Sequence, residues 1–306
     1  VSVIPLGGYV KMVGEEPDAE ISDEMLTLSF THKPVWKRIL IVAAGPGFNL
    51  LLAVVIFFIL NLVVGIFVLK PSIGKIKPDS PAQISGLQAG DEVVAIDGTA
   101  VESWTDMAGL ISNSEGRSLS VTIRRGEKTA TYSMRPTQIT DKNIFGEEIQ
   151  RYVIGITSAG DVYTEKFGPV DALYQGVVQT GRIIELTILS VAKIISGTIS
   201  ARNIGGPVAI AQMAGQQARQ GVISLSSFIA LLSVNLAILN FLPIPVLDGG
   251  HLLFFLIEAV IRRPVSIRIR EIAQQAGIFL LILLMILVFY NDIANWISGW
   301  TPLGGN

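Results

Sequence analysis

Cysteine is absent from the 306 residues, which excludes disulfides and thiolate metal sites. Charge is scarce, at 16% of residues, where a soluble domain carries about 25%. Only two histidines occur, His32 and His251. The net charge of −2 holds no basic excess, so nothing points to a nucleic-acid partner. Internal repeats are lacking. The opening Val-Ser-Val-Ile-Pro has neither the basic flank nor the apolar run of a signal peptide, and reads as the middle of a longer chain.

Half of the residues are hydrophobic, and they are gathered into long runs. An uncharged run extends from Ile39 to Leu69, with Gly45-Pro46-Gly47 near its start. Its uninterrupted part, Phe48–Leu69, is long enough to cross a bilayer, which takes roughly 20 residues. Residues 36–70 are therefore assigned to a membrane span. Lys33, Trp36, Lys37 and Arg38 precede it as a basic and aromatic interfacial anchor. Residues 225–261 form a second apolar segment, and 272–297 a third, with Tyr290, Trp296 and Trp300 as anchors. Arg262, Arg263, Arg268 and Arg270 lie between these two. The positive-inside rule puts both basic clusters in the cytoplasm and the sequence between the first two spans outside.

That intervening sequence changes character at Pro71. Ser72–Ile76 and Glu92–Ile96 read as strands, the second ended by an Asp97-Gly98 turn. Ser80-Pro81 reads as a helix N-cap followed by proline at the first helical position. Ser103-Trp104-Thr105-Asp106 fits a capping box. Leu119, Val121 and Ile123 alternate with polar residues, as do Ala130, Tyr132 and Met134 across an Arg125-Gly126-Glu127 turn. Residues 71–136 are thus expected to form a small α+β domain. Residues 137–168 continue it or form a polar linker. Residues 171–199 are apolar at helical spacing but carry Arg182, Glu185 and Lys193, so they suit an amphipathic helix at the interface. A shorter helix follows at Pro207–Arg219, and 137–224 as a whole is assigned to linker and interfacial helices.

The sharpest feature is Asn240-Phe241-Leu242-Pro243-Ile244-Pro245-Val246-Leu247-Asp248-Gly249-Gly250. An Asp inside an apolar segment costs about 2.5–3.5 kcal/mol to insert, so it faces an interior, a cavity or a metal. The two prolines remove donors and break the helix. Irregular backbone at membrane depth is tolerated where protein or water covers it. Asn240 adds an amide beside this break. The bland alternative for Asp248 is a helix cap near the interface, and for Asn240, Pro243 and Pro245 helix breaking alone.

Asn-x-x-Pro-x-Pro-x-Leu-Asp-Gly resembles the second signature of the site-2 protease family, the intramembrane zinc metalloproteases, in its bacterial sigma-regulating branch. Ile4-Pro5-Leu6-Gly7-Gly8-Tyr9-Val10-Lys11-Met12 looks like the family's membrane re-entrant β-loop. Gly45-Pro46-Gly47-Phe48-Asn49 matches its Gly-Pro-x-x-Asn element, and Gly205-Gly206-Pro207 with Ala209–Gln212 resembles the segment before its third span. Residues 71–136 look like its PDZ domain. The resemblance implies a polytopic α-helical membrane protein with an inserted, extracytoplasmic PDZ-like α+β domain. Residues 1–35 would hold a re-entrant β-loop and a cytoplasmic-side loop.

The resemblance also implies function. The cofactor is Zn2+, with Asp248 as a ligand. Asn240, Pro243 and Pro245 contact substrate, and Gly7, Gly8 and Tyr9 offer an open strand edge to it. Asn49 is left open between a packing amide and a site residue. His251, three residues after Asp248, is not a ligand in the family, and His32 reads as solvated. Expected partners are transmembrane substrates such as anti-sigma factors, remnant signal peptides, and the lipid bilayer of a bacterial cytoplasmic membrane. The family's other zinc ligands and its general base belong to a His-Glu-x-x-His helix, which this chain does not contain. That helix is expected upstream of Val1, so no catalytic residue is assigned here. The alternatives are a non-catalytic PDZ-bearing scaffold and an ion-coupled transporter, which also uses broken helices but usually shows repeats.

Overall fold

The computed structural model describes residues 29–199 and 205–297. The proposed β-loop residues Gly7, Gly8 and Tyr9 lie outside them. The chain forms two compact units, one of residues 1–57, 176–189 and 200–306, the other of residues 58–175 and 190–199.

Among the described residues, three helices are long and apolar enough to cross a membrane. They are α1 (Val35–Val63), α6 (Val222–Phe241) and the Ile267–Ala294 part of α8 (Ile267–Ile297). The extents differ from expectation at α1. Gly45-Pro46-Gly47 does not interrupt this helix, which runs from Val35 through Pro46 without a break. Membrane helices tolerate proline where neighbouring groups take up the freed carbonyl, and Pro46 is fully buried. At the other end the helix stops at Val63, and Ile66–Leu69 is a strand (β1) rather than the last turn of a span. Gly65, at φ 87°, makes the change of direction. The helix α8 begins five residues before the expected 272, at Ile267. The amphipathic segment is helical over α4 (Pro169–Ile195), and α5 (Pro207–Gln220) and α7 (Asp248–Ile261) complete the helices used below.

The second unit holds the inserted domain. Its core comprises Ile73, Val93, Ile96, Met107, Leu119, Val121 and Ile123, all at most 2% exposed. Strands β3 (Glu92–Ile96), β4 (Thr99–Ala100), β5 (Leu119–Arg125) and β6 (Lys128–Met134) form one antiparallel sheet in the order β4-β3-β5-β6. Asp97 and Gly98 take φ 50° and 78°, the mirror-image turn that Asp-Gly favours. Ser80 caps the short α2 (Pro81–Ile84) at Gln83 N, and Ser103 and Asp106 cap α3 (Trp104–Ser112) reciprocally.

The domain does not end at residue 136. Strands β7 (Thr137–Lys142) and β8 (Glu148–Val153) form a hairpin. Strand β9 (Ile156–Ser158) pairs with β2 (Ile73–Ile76), and β10 (Val162–Glu165) pairs with β1. Residues 137–165 are therefore part of the domain and not a linker. Within this unit the hairpin tip also meets the last residues of α4: Glu147 pairs with Lys193, whose ammonium sits 5.6 Å from the centre of the Phe145 ring.

Candidate active-site turn and peptide groove

The helix α6 ends because its next residues cannot continue it. Leu242 is extended (φ −62°, ψ 142°), as a residue preceding proline must be. Pro243 and Pro245 supply no N–H. The turn is closed instead by Ile244 N donating to Leu242 O at 2.7 Å and Leu247 N donating to Ile244 O at 2.8 Å. Helix α7 then starts at Asp248, whose carboxylate suits the positive end of the helix dipole.

The two glycines after Asp248 are there because nothing larger fits. A Cβ on Gly249 would stand 2.2 Å from Leu242 O and 2.4 Å from Phe241 O. On Gly250 it would stand 2.4 Å from Ile244 O. These are backbone atoms, which a rotamer change cannot move aside. Helix α7 therefore folds directly back onto the last turn of α6. On a further side, α8 presents Gly277, where a Cβ would meet Val246 Cγ2 at 2.7 Å.

Helix α1 supplies the wall that Asp248 faces. A Cβ on Gly45 would lie 3.5 Å from Asp248 Oδ2, an ordinary contact, so the carboxylate looks onto the Gly45-Pro46 turn of α1. Ser233 Oγ of α6 donates to Asn49 O of α1 at 2.8 Å, fixing the crossing of these two helices one turn further on. Asp248, Asn240, Pro245 and Asn49 are all half-buried, and Pro243 is exposed. The structure thus brings Asp248, the proline turn and the Gly45–Asn49 stretch together. His251 follows Asp248 by about one helical turn. His32 is exposed, with Nδ1 at 3.1 Å from Ser29 Oγ.

Two buried carboxylates of the apolar helices are not singled out by the sequence. Glu258 of α7 accepts from Arg38 of α1 through two prongs, at 2.6 and 3.2 Å, and Arg270 of α8 reaches it at 3.5 Å. Arg38 is only 8% exposed and lies over the Phe255 ring. It is a tertiary tie, not a free interfacial anchor. Asp292 of α8, 5% exposed, accepts from the backbone N of Gly206, Val208 and Ala209 and so caps α5. The available signal was the same one that marked Asp248, an acid inside an apolar segment.

The inserted domain carries its own cleft. A cavity of about 570 Å³ lies between α3 and the strand β9. Trp104, Met107 and Ile111 line one wall, and Ile154 and Ile156 the other. In its sheet β9 pairs with β2 alone among the described strands, so its second edge carries no strand. Elsewhere in the domain Asp91, 1% exposed, is gripped by Arg125 at 2.6 and 2.8 Å and by Gln88 N at 2.8 Å. Burial pushes its carboxyl up, but the Arg125 bonds and the Gln88 amide outweigh this and hold it below its ordinary value.

Zinc would find one ligand here. No three His, Asp or Glu side chains converge among the described residues, whereas a catalytic zinc takes three protein ligands. Asp248 fits one of those places: it is a half-buried carboxylate held by a rigid turn. It does not fill the set, and no step through a metal is derived from it.

Residues 1–284 match the family described as peptidase family M50. A Mesorhizobium japonicum protein provisionally named a zinc metalloprotease is 39% identical over 303 residues, covering 95% of this chain and 83% of the relative. The regulator of sigma-W protease RasP of Bacillus subtilis is 34% identical, over 86% of this chain and 60% of its own. Among solved structures, the PDZ domain of the SdrC-like protein of Listeria monocytogenes is 28% identical. It covers 30% of this chain and 85% of its own, with a TM-score of 0.23.

Proposed function

The chain belongs to peptidase family M50, the site-2 proteases, and from that membership we propose that it serves a membrane-embedded zinc endopeptidase that cuts transmembrane segments of regulatory proteins. The observation that carries this reading is the position of Asp248 at the proline-broken α6–α7 turn, facing Gly45 of α1. Asp248 is the ligand contributed by this part of the protein. In the family the remaining ligands and the general base belong to a His-Glu-x-x-His helix, a motif that these 306 residues do not contain. When bound, zinc supplies Lewis acidity toward the scissile carbonyl and an acidified water.

The chain's own residues do the rest. The turn, clamped by Gly249, Gly250 and Gly277, holds the carboxylate rigidly. Asn240, Pro243 and Pro245 contact an unwound substrate. By the family resemblance Gly7, Gly8 and Tyr9, outside the described residues, would offer it a strand edge. The relative named as a sigma-W regulator supports substrates of the anti-sigma type. The inserted domain lies outside the cytoplasmic membrane, and its groove docks an extended peptide along the open edge of β9.

The test is cleavage of a model single-span substrate by the full-length protein in detergent, with zinc measured in the same sample. Asp248→Ala is expected to lose both zinc and cleavage while keeping its melting temperature. Cleavage at the parent rate with zinc retained would remove the assignment.

A further inference from the structure

The groove between α3 and β9 is lined by three cations, Lys75, Lys77 and Arg151, and by no carboxylate. Arg151 is already engaged by Asp141 at 2.5 Å. Lys75 and Lys77 are exposed, and neither joins an ion pair among the described residues. Their backbones are locked to the strand that borders the groove. Lys75 N donates to Thr157 Oγ1 at 3.0 Å, and Lys77 N to Gly155 O at 2.8 Å. Lys75 lies in β2, where the register against β9 shifts, and Lys77 is the first residue after that strand; both line the groove.

From these observations we infer that Lys75 and Lys77 are specificity-determining residues, selecting extended peptides that carry acidic side chains. The inference rests on the reading of the groove as a peptide-docking site and adds the ligand's chemistry. Backbone bonds to the β9 edge are blind to sequence. Apolar side chains of the peptide fill the pocket beside Met107 and Ile111. Between the two, the only charge the groove can read is negative. A peptide whose acids are replaced by amides keeps the backbone bonds and the apolar contacts and loses the ion pairs. Exposed pairs contribute modestly, so the expected preference is about five- to tenfold for two of them.

The experiment uses the full-length protein in detergent and fluorescence anisotropy with two labelled octapeptides. One is Gly-Glu-Thr-Glu-Thr-Val-Ala-Val; the other carries Gln in place of both Glu. At about 50 mM salt the acidic peptide is expected to bind about five- to tenfold tighter, the margin shrinking at about 0.5 M as the pairs are screened. The double variant Lys75→Glu/Lys77→Glu is expected to bind the Gln peptide as before and to disfavour the acidic one. Ala108→Trp, with Ser112→Trp as a second blocking variant, fills the groove and is expected to abolish binding of both. Equal affinities for the two peptides, with blocking still effective, would overturn charge selection and leave the groove standing. Binding that survives both blocking variants would overturn the groove reading and this inference with it.

Discussion

Asp248 and Gly45, 203 positions apart in sequence, meet so that a methyl group on the glycine would lie 3.5 Å from Oδ2. That spacing leaves room for alanine and little more. Gly45→Ala is expected to fold normally and to lower cleavage several-fold by placing a methyl beside the carboxylate. Gly45→Leu is expected to abolish cleavage. Melting temperature and cleavage rate measured side by side check both; parent activity in Gly45→Leu would show that this face of Asp248 is not used.

Gly249 and Gly250 give a steric prediction that is independent of chemistry. Alanine at either position drives a methyl into carbonyl oxygens at 2.2 and 2.4 Å. Overpacking of this kind costs about 1–3 kcal/mol. Lower melting temperatures and weakened zinc retention are expected for both variants. An unchanged melting temperature for Gly249→Ala would mean that the two helices are not folded together this closely.

The Arg38–Glu258 pair should be costly to break from one side. Both side chains are about 10% exposed, and removing one partner strands a buried charge, typically at about 3–5 kcal/mol. Arg38→Met and Glu258→Leu alone are expected to destabilise strongly. The double variant should recover most of the loss, since apolar groups of similar size need no partner. Urea titration of the four proteins measures this directly.

Asp292 holds the first amides of α5. In Asp292→Ala those donors lose their acceptor, and an N-cap of this kind contributes about 1–2 kcal/mol. Faster hydrogen exchange at Gly206, Val208 and Ala209 is the expected signature, with the core of the inserted domain unaffected.

The inserted domain should lose stability in acid. The folded-state pKa of Asp91 is depressed, below an unfolded value of about 3.9. Its contribution is complete above that unfolded value and disappears as the pH falls through the lower, folded one. Asp91→Asn is expected to melt lower at neutral pH and to show a flatter decline of melting temperature below about pH 4. Parallel declines in the two proteins would assign the acid sensitivity elsewhere.

Much of this protein was legible from neighbouring residues alone. Three apolar runs suffice to specify three membrane-length helices, because burial of backbone polar groups in lipid leaves little but the helix. Ser80, the Ser103/Asp106 box and Asp97-Gly98 act within four residues of their own partners, so pattern reading found them. The prolines likewise break α6 by local covalent geometry. Errors arose where a short segment carries no distinguishing period. Ile66–Leu69 is apolar either way, and only pairing with Val162–Glu165 makes it a strand. In β8 the first four residues are exposed, so the segment showed no buried face to detect.

Tertiary structure alone decided which distant groups meet. Arg38 finds Glu258 across 220 positions, Gly206 finds Asp292 across 86, and Lys75 finds Thr157 across 82. A charge or a donor declares in sequence that it needs a partner, but any of several would satisfy it. At the α6–α7 turn the packing is set by the close approach of backbones at Gly249 and Gly250. The long-range pairs depend on chain segments far apart being packed at once, which no local rule contains.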